Sequence, residues 1–102
     1  MRLYSQFTLA ELQEEMEMLR KQIDEKKKQD DQVSIGILEQ KFFMAKSYYV
    51  GTQEFRIGKC YQVHGQQEPF VIEYFNGVFA WGTFQHNREA EAVGFPVGML
   101  EE

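Results

Sequence analysis

Two runs of aromatic and β-branched residues predict a β-hairpin over residues 70–84. They meet at Asn76-Gly77, a pair typical of a type I′ turn because both residues tolerate a positive φ angle. A turn centred on this pair would place Tyr74 opposite Phe79. Since side chains alternate between the two faces of a strand, six of them would then share one face. These six are Phe70, Ile72, Tyr74, Phe79, Trp81 and Thr83.

The N-terminal half carries hydrophobic residues at helical spacing. Over residues 9–27 an apolar side chain recurs every three or four positions, the pattern of a helix packed along one side. Thr8 and Glu11 have the spacing of a capping box at its start. A second helix is predicted over residues 32–50, with Gly51 placed to end it. The two segments together predict an antiparallel helical hairpin.

The second predicted helix is apolar on two sides. One stripe follows the spacing 3, 4, 3, 4, and a second group projects from a different side at about 100° per residue. The stripe is Ile35, Leu38, Phe42, Ala45 and Tyr49, and the second group is Val33, Ile37, Met44 and Tyr48. Because the first helix can cover only one side, we expect the other to meet the strand-rich half or another subunit.

The remaining apolar segments predict short strands around the hairpin. Tyr61 and Val63 alternate with polar residues in a first strand, and residues 92–95 form another after a polar loop. A turn near the end would carry Met99 and Leu100 back to the core. Four or five short strands are too few for a sandwich and suit a small, strongly bent barrel, with Gly94 among the glycines available for curvature.

Composition and charge narrow the class of protein. At 102 residues with 43% hydrophobic content, the chain suits one compact domain. Its single cysteine excludes an internal disulfide, and no signal peptide or membrane-spanning run is evident, so we expect a cytoplasmic, soluble protein. Residues 51–102 carry 3 basic and 7 acidic side chains. This acidic balance opposes binding to a phosphate backbone.

Few residues offer catalytic chemistry. Cys60 and His64 share a strand face, but four residues at ~3.3 Å separate them by roughly 13 Å, too far for a nucleophile and its base. We expect Cys60 to be a small buried side chain, and His64 and His86 to be solvated at loop edges. His86 with Glu89 is too small a set for a metal site. Glu73, predicted opposite Ala80, is expected to be a rim or partnered carboxylate. The sequence therefore predicts neither an enzyme nor a cofactor.

The run Tyr74 to Gly82, the segments around Thr8, Leu38 and Met44, and Pro96 with Leu100 together resemble the YfhH-like family of small, uncharacterised bacterial proteins. The resemblance covers nearly the whole chain, and its most specific part is the Asn-Gly-Val-Phe-Ala-Trp-Gly run at residues 76–82. It implies an α+β protein in which an N-terminal antiparallel helical hairpin, residues 1–51, precedes a small SH3-like β-barrel, residues 52–102, within one compact domain. It implies no activity and no catalytic residue. The other segments are Tyr4-Ser5-Gln6 with Thr8, Glu11 and Leu12, Leu38-Glu39, Met44-Ala45-Lys46, and Pro96 with Leu100.

The aromatic face of the hairpin is the main functional candidate. Phe70, Tyr74, Phe79 and Trp81 would present on the order of 800 Å² at about 200 Å² each. The largest exposed patch of a monomer is typically ~300–600 Å². We therefore interpret the face first as core, and alternatively as a groove for an extended peptide.

The sequence thus predicts a non-catalytic protein–protein interaction or adaptor module. Its partner would be a protein or peptide, or a second copy in a homodimer; the alternative is a nucleic-acid-binding small-barrel protein, less favoured by the charge. No membrane partner is expected. The candidate partner-binding residues are Glu73, Tyr74, Phe79 and Trp81 on the hairpin, and Ile37, Met44 and Tyr48 on the second helix.

Overall fold

The computed structural model describes residues 2–102, so residue 1 of the predicted hairpin segment lies outside the described residues. Two antiparallel helices, α1 (Leu9–Lys28) and α2 (Gln32–Val50), confirm the predicted helical hairpin. The capping box is present: Thr8 Oγ1 accepts from the Glu11 N–H at 3.1 Å, and the Glu11 carboxylate accepts from the Thr8 N–H at 2.9 Å.

The turn between the helices and the end of α2 follow local backbone rules. The Asp31 carboxylate caps α2 by accepting from the Ser34 N–H at 3.2 Å. Gly51 ends α2 with φ of 69°, the left-handed region that a glycine adopts without steric cost. Both helix boundaries therefore depend on side-chain and glycine signals that are visible in the sequence.

The C-terminal half is a single five-stranded antiparallel sheet in the order β4-β3-β2-β1-β5. A one-turn 3-10 helix, Val97–Met99, joins the last two strands. In the described chain β4 and β5 do not pair, so the sheet is open and the α+β class holds without a closed barrel. The strands are β1 (Cys60–Val63), β2 (Phe70–Asn76), β3 (Phe79–Phe84), β4 (Val93–Pro96) and β5 (Leu100–Glu101).

The predicted hairpin turn is one residue too early, so next to the turn each β2 residue pairs two positions further along β3 than predicted. Asn76, not Phe75, is the last β2 residue to pair, and its partner is Phe79, so Gly77 and Val78 form the turn. Gly77 has φ of 61°, whereas Asn76 does not have a positive φ angle. A glycine at the first central position is typical of a type II′ turn, in which the second central residue keeps a negative φ. Val78 can then pack against the core of the sheet.

A β-bulge at Glu73 divides the predicted face between the two sides of the sheet. The pairing is regular from Phe70 to Ile72, skips Glu73, and resumes with Tyr74 opposite Trp81. The extra residue reverses the alternation of side chains. Phe70 and Ile72 therefore lie in the core as predicted, but the other four members of the predicted face point to the opposite side of the sheet. The prediction that Glu73 lies opposite Ala80 is also wrong.

Two groups of buried side chains stabilise the molecule. In the hairpin, α1 contributes Leu12, Leu19 and Ile23, and α2 contributes Ile35 and Ala45. In the sheet, the core includes Leu100 as predicted, with Met99 packed against it. The members of the sheet core are Tyr61, Val63, Phe70, Ile72, Ala80, Val97 and Leu100.

The two groups are joined where α2 meets the 3-10 helix Val97–Met99. The hydroxyl of the fully buried Ser47 accepts from the Gly98 N–H at 2.8 Å and donates to the Phe43 carbonyl at 2.6 Å. A Cβ on Gly98 would collide with that same carbonyl oxygen. The sheet therefore contacts the side of α2 that carries Phe43 and Ser47. The second apolar group of α2 does not face the sheet.

Candidate functional site

An aromatic surface lies at the open end of the sheet, on the face opposite the core, which we call the outer face. We define the outer aromatic surface as Tyr74, Phe79, Trp81, Gly94 and Pro96, which occupy adjacent positions across β2, β3 and β4. Tyr74 is 47% exposed, and the other four are half-buried. The interpretation of this face as core is therefore wrong for Tyr74, Phe79 and Trp81, because the bulge turns them away from the core.

Close contact with the backbone of β4 fixes the position of the indole ring. A Cβ on Gly94 would lie 2.6 to 2.8 Å from three ring atoms of Trp81, so the ring rests directly on the glycine. The Tyr74 ring is nearly parallel to it, with an interplanar angle of 3° and centroids 6.1 Å apart. Two parallel rings on a sheet form a preorganised apolar surface, which lowers the entropic cost of binding.

The other end of the same face is covered. Val71 and Thr83 lie on the outer side of the sheet but are only 4% and 2% exposed. The Glu73 carboxylate accepts from the Thr83 hydroxyl at 2.9 Å and lies 3.7 Å from the Arg88 guanidinium. Glu73 is therefore the partnered carboxylate that we expected. Its polar contacts mark one border of the outer aromatic surface.

A second candidate surface lies along α2. The helix groove, as we call it, has a volume of about 430 Å³. Ile37 is 55% exposed at this groove, whereas Met44 and Tyr48 are half-buried in it. The structure therefore places these three predicted residues together. The groove is lined by Leu3, Tyr4, Ser5, Ile37, Gln40, Lys41, Met44 and Tyr48.

The N-terminal segment forms one wall of the helix groove and is held by an ion pair. Both terminal nitrogens of Arg2 donate to the Glu11 carboxylate, at 2.6 and 2.7 Å, and its guanidinium lies 4.5 Å from the centroid of the Phe7 ring. The Arg2 hydrogen bonds lower the pKa of Glu11 to about 2, with a further contribution from the Thr8 N–H. The ionised carboxylate therefore fixes the wall and the start of α1 together.

A neighbouring depression lies towards the turn between the helices. We call it the tip depression; its volume is about 390 Å³. Its polar side chains include Glu25 and Lys26, and Lys26 lies 4.0 Å from the Asp31 carboxylate. Ile37 lines this depression as well as the helix groove. The tip depression is lined by Gln22, Glu25, Lys26, Ser34, Ile37 and Leu38.

The candidate reactive residues are dispersed. Cys60 is exposed, so the prediction that it is buried is wrong; as the first residue of β1 it pairs with Val71 on the outer face. His64 and His86 are exposed as predicted, and their nearest carboxylates are those of Glu39 at 3.6 Å and Glu68 at 3.7 Å. Within residues 2–102, no three potential metal ligands form a cluster.

Sequence reasoning misses several members of these surfaces, among them Gly94, Leu3, Tyr4 and Lys41. The pattern presents Gly94 only as a source of curvature, although its lack of a side chain makes room for the Trp81 ring. Leu3 and Tyr4 are not connected to α2 by any pattern, because short 3-10 segments have no strong periodic signal. The sequence signal that could have been used is the adjacent Leu3 and Tyr4 shortly before the capping box at Thr8.

None of the described helices is both long and apolar enough to cross a membrane. The family described as "Protein of unknown function (DUF1811)" matches residues 2–101. The chain is also 31% identical, over 99 residues, to the uncharacterised protein YfhH of Bacillus subtilis (strain 168); the match covers 97% of this chain and 94% of that protein.

Proposed function

We propose a non-catalytic protein-interaction role for this chain, which belongs to the YfhH-like family of proteins of unknown function. In this proposal the outer aromatic surface binds an extended, proline-containing segment of a partner protein. The observation that carries it is the exposed Tyr74 ring, which lies parallel to the half-buried Trp81 ring that rests on Gly94.

The chemistry of the surface favours a proline-containing peptide. Its centre has aromatic rings and Pro96 but no charged side chain, whereas Glu73 and Arg88 are paired with each other at the border. Polyproline segments are extended before they bind and lose little entropy, and they dock between aromatic side chains. A neutral, rigid aromatic surface therefore suits such a ligand better than a charged or helical one.

The arrangement of the strands supports the same proposal. We propose that the open sheet is an SH3-like barrel lacking pairing between its edge strands. In support, the order β4-β3-β2-β1-β5 brings the first and last strands together, and a 3-10 helix links β4 to β5. SH3 domains bind proline-rich segments in aromatic grooves. Because a shared fold does not specify function, this support is secondary to the exposed rings.

Charge argues against the alternative of nucleic-acid binding. Of the three basic residues in the strand-rich half, Lys59 lies 2.7 Å from Glu102 and Arg88 lies near Glu73. Single-stranded nucleic acids require a positively charged groove beside the stacking aromatics. The aromatic rings could stack on bases, but the neighbouring charges would oppose the phosphates.

The experiment is a selection of random twelve-residue peptides displayed on phage, followed by titration of the selected peptides against Trp81 emission. We expect the selected peptides to contain proline. Their affinity for the variants, measured by calorimetry, should fall at least tenfold for Trp81→Ala and be unchanged for Ile57→Ala. The second variant removes an apolar side chain that is 62% exposed outside the surface. If the peptides bind the Trp81→Ala variant as tightly as they bind the wild type, the proposal is refuted.

A second titration with a single-stranded oligothymidylate tests the alternative. Quenching of Trp81 emission that weakens steeply between 50 and 200 mM salt would indicate that the outer aromatic surface binds nucleic acid instead of a peptide. We expect no quenching even at the lower salt concentration, because the strand-rich half is acidic.

A further inference from the structure

The exposed side of α2 is apolar but is not covered by the sheet. Val33 and Ile37 are 76% and 55% exposed, and Leu3, from the neighbouring N-terminal segment, is 65% exposed. The helix groove and the tip depression open on this side and meet at Ile37. We infer that a second copy of the chain covers this surface, in a two-fold symmetric homodimer centred on Ile37. This inference is independent of the peptide role proposed above.

The two depressions are arranged so that they can complement each other. Lys41 in the helix groove is one turn C-terminal to Ile37, at about 6 Å along the axis, and Ser34 in the tip depression is about 4.5 Å N-terminal to it. A two-fold axis through Ile37, perpendicular to α2, reverses the direction of the helix in the partner. Along the helix axis it therefore brings the helix groove of each copy level with the tip depression of the other, and the contact is isologous.

Each depression contains one charged side chain without a partner in the described chain, and these two charges are of opposite sign. The charged side chain that lines the helix groove is Lys41, and within residues 2–102 it makes neither an ion pair nor a side-chain hydrogen bond. The tip depression contains Glu25, whose carboxylate is likewise without a partner in the described chain, and Lys26, which is close to Asp31. The proposed axis brings each Lys41 to the Glu25 of the other copy, twice per dimer.

The same charges favour this position of the two-fold axis over another position along α2. A two-fold axis through Lys41 would keep the apolar residues Ile37 and Met44 at the contact, but it would place the two Lys41 ammonium groups against each other. Like charges brought together at an interface are unfavourable. Of these two axes, the one at Ile37 combines the apolar contact with opposite charges, so the charge pattern favours a second copy in that register.

The size of the surface predicts a weak dimer. From Val33 to Tyr48 it extends ~22 Å along α2, and two neighbouring helices are ~20 Å wide. This gives roughly 440 Å² on each copy, below the ~800 Å² per partner of a standard interface. We therefore expect a dissociation constant on the order of 100 µM, at the weak end of specific association.

The experiment is sedimentation equilibrium of the full chain from about 10 µM to 1 mM. We expect concentration-dependent dimerisation that Lys41→Glu and Glu25→Lys each weaken about tenfold or more, since each reversal sets like charges together at both contacts. An equimolar mixture of the two variants should regain the wild-type affinity, because each contact of the mixed dimer again joins one acidic and one basic side chain. The variant that carries both reversals should also dimerise.

Matched controls separate the contact from net charge. Arg56→Glu and Glu89→Lys make the same charge changes at exposed positions outside both depressions, and they should leave the association unchanged. A wild-type protein that is monomeric at 1 mM would overturn the inference. So would a dimer that is insensitive to the two reversals, or one that the mixture of variants does not restore.

Discussion

The outer aromatic surface lies on a sheet whose shape is fixed by backbone contacts, whereas the helix groove has a wall held by exposed side chains. At the sheet, a Cβ on Gly82 would overlap the Val71 carbonyl oxygen, and one on Gly94 would touch the Trp81 ring. On α2, a Cβ on Gly36 would meet nothing within 4 Å. The two surfaces are both apolar, but they should respond differently to substitution.

This difference indicates which kind of substitution should affect each surface. Adding a single methyl group at a close backbone contact should distort the aromatic surface, because neither strand can move without breaking ladder hydrogen bonds. The helix groove should tolerate small changes of shape but should respond to charge, since its wall depends on the pair between Arg2 and Glu11. Three substitutions test this contrast.

The largest effect is expected from Gly82→Ala. The new methyl group would overlap a main-chain oxygen at the β-bulge, so the two strands must separate or lose the bulge. We expect the free energy of unfolding to fall by more than about 3 kcal/mol, measured by urea denaturation. The matched control is Gly36→Ala in α2, which should stabilise the chain by ~0.5–1 kcal/mol because alanine favours a helix.

A fall of less than about 1 kcal/mol for Gly82→Ala would contradict the comparison. It would mean that the bulge can relax and that the outer aromatic surface is not fixed by its backbone.

The helical hairpin could be predicted from the sequence because its signals are local. The capping box at Thr8, the cap at Asp31 and the glycine at position 51 each act within a few residues of the boundary that they define. Apolar spacing then identifies the sides of the helices. The side of α2 that meets the sheet is not identified in this way, because it depends on a small buried serine, Ser47, that periodicity counts as polar.

The sequence predicts which aromatic residues form the outer aromatic surface, but not the side of the sheet on which they lie. Tyr74, Phe79 and Trp81 do share a face, because moving the turn by one residue shifts each pairing by two positions and keeps these side chains together, but the sequence assigns that face to the core with Phe70 and Ile72. The bulge at Glu73 alone reverses the alternation, so Phe70 and Ile72 lie on the other side of the sheet from these three residues. One extra residue in a strand transfers every side chain beyond it to the other face, so a single unpaired residue changes the interpretation of the whole surface.

An intermediate effect is expected from Gly94→Ala. Its Cβ would lie 2.6 Å from the nearest Trp81 ring atom, so the indole must move while the backbone can remain in place. We expect a loss of ~1–3 kcal/mol in stability, together with a red shift of the emission and stronger iodide quenching. Peptides selected on the wild type should bind at least tenfold more weakly. Unchanged emission would show that the indole does not rest on the glycine.

The smallest effect is expected from titration of Glu11 at the wall of the helix groove. Its pKa is lowered from 4.5 to about 2 by the Arg2 hydrogen bonds. Because the folded pKa is below the ordinary value, the ion pair contributes stability above pH 4.5 and loses that contribution as the pH falls towards 2. The difference in Tm between the wild type and Arg2→Ala should therefore be largest near neutral pH and shrink over this interval.

The control for this titration is Arg20→Ala, which removes an exposed arginine of α1 that lies outside the helix groove. Its Tm difference from the wild type should not follow the titration of Glu11. NMR observation of the Glu11 carboxyl carbon gives the pKa directly and should return a value nearer 4.5 in Arg2→Ala. If Glu11 titrates near 4.5 in the wild type as well, the N-terminal wall is not held by this ion pair, and charge does not distinguish the helix groove from the aromatic surface.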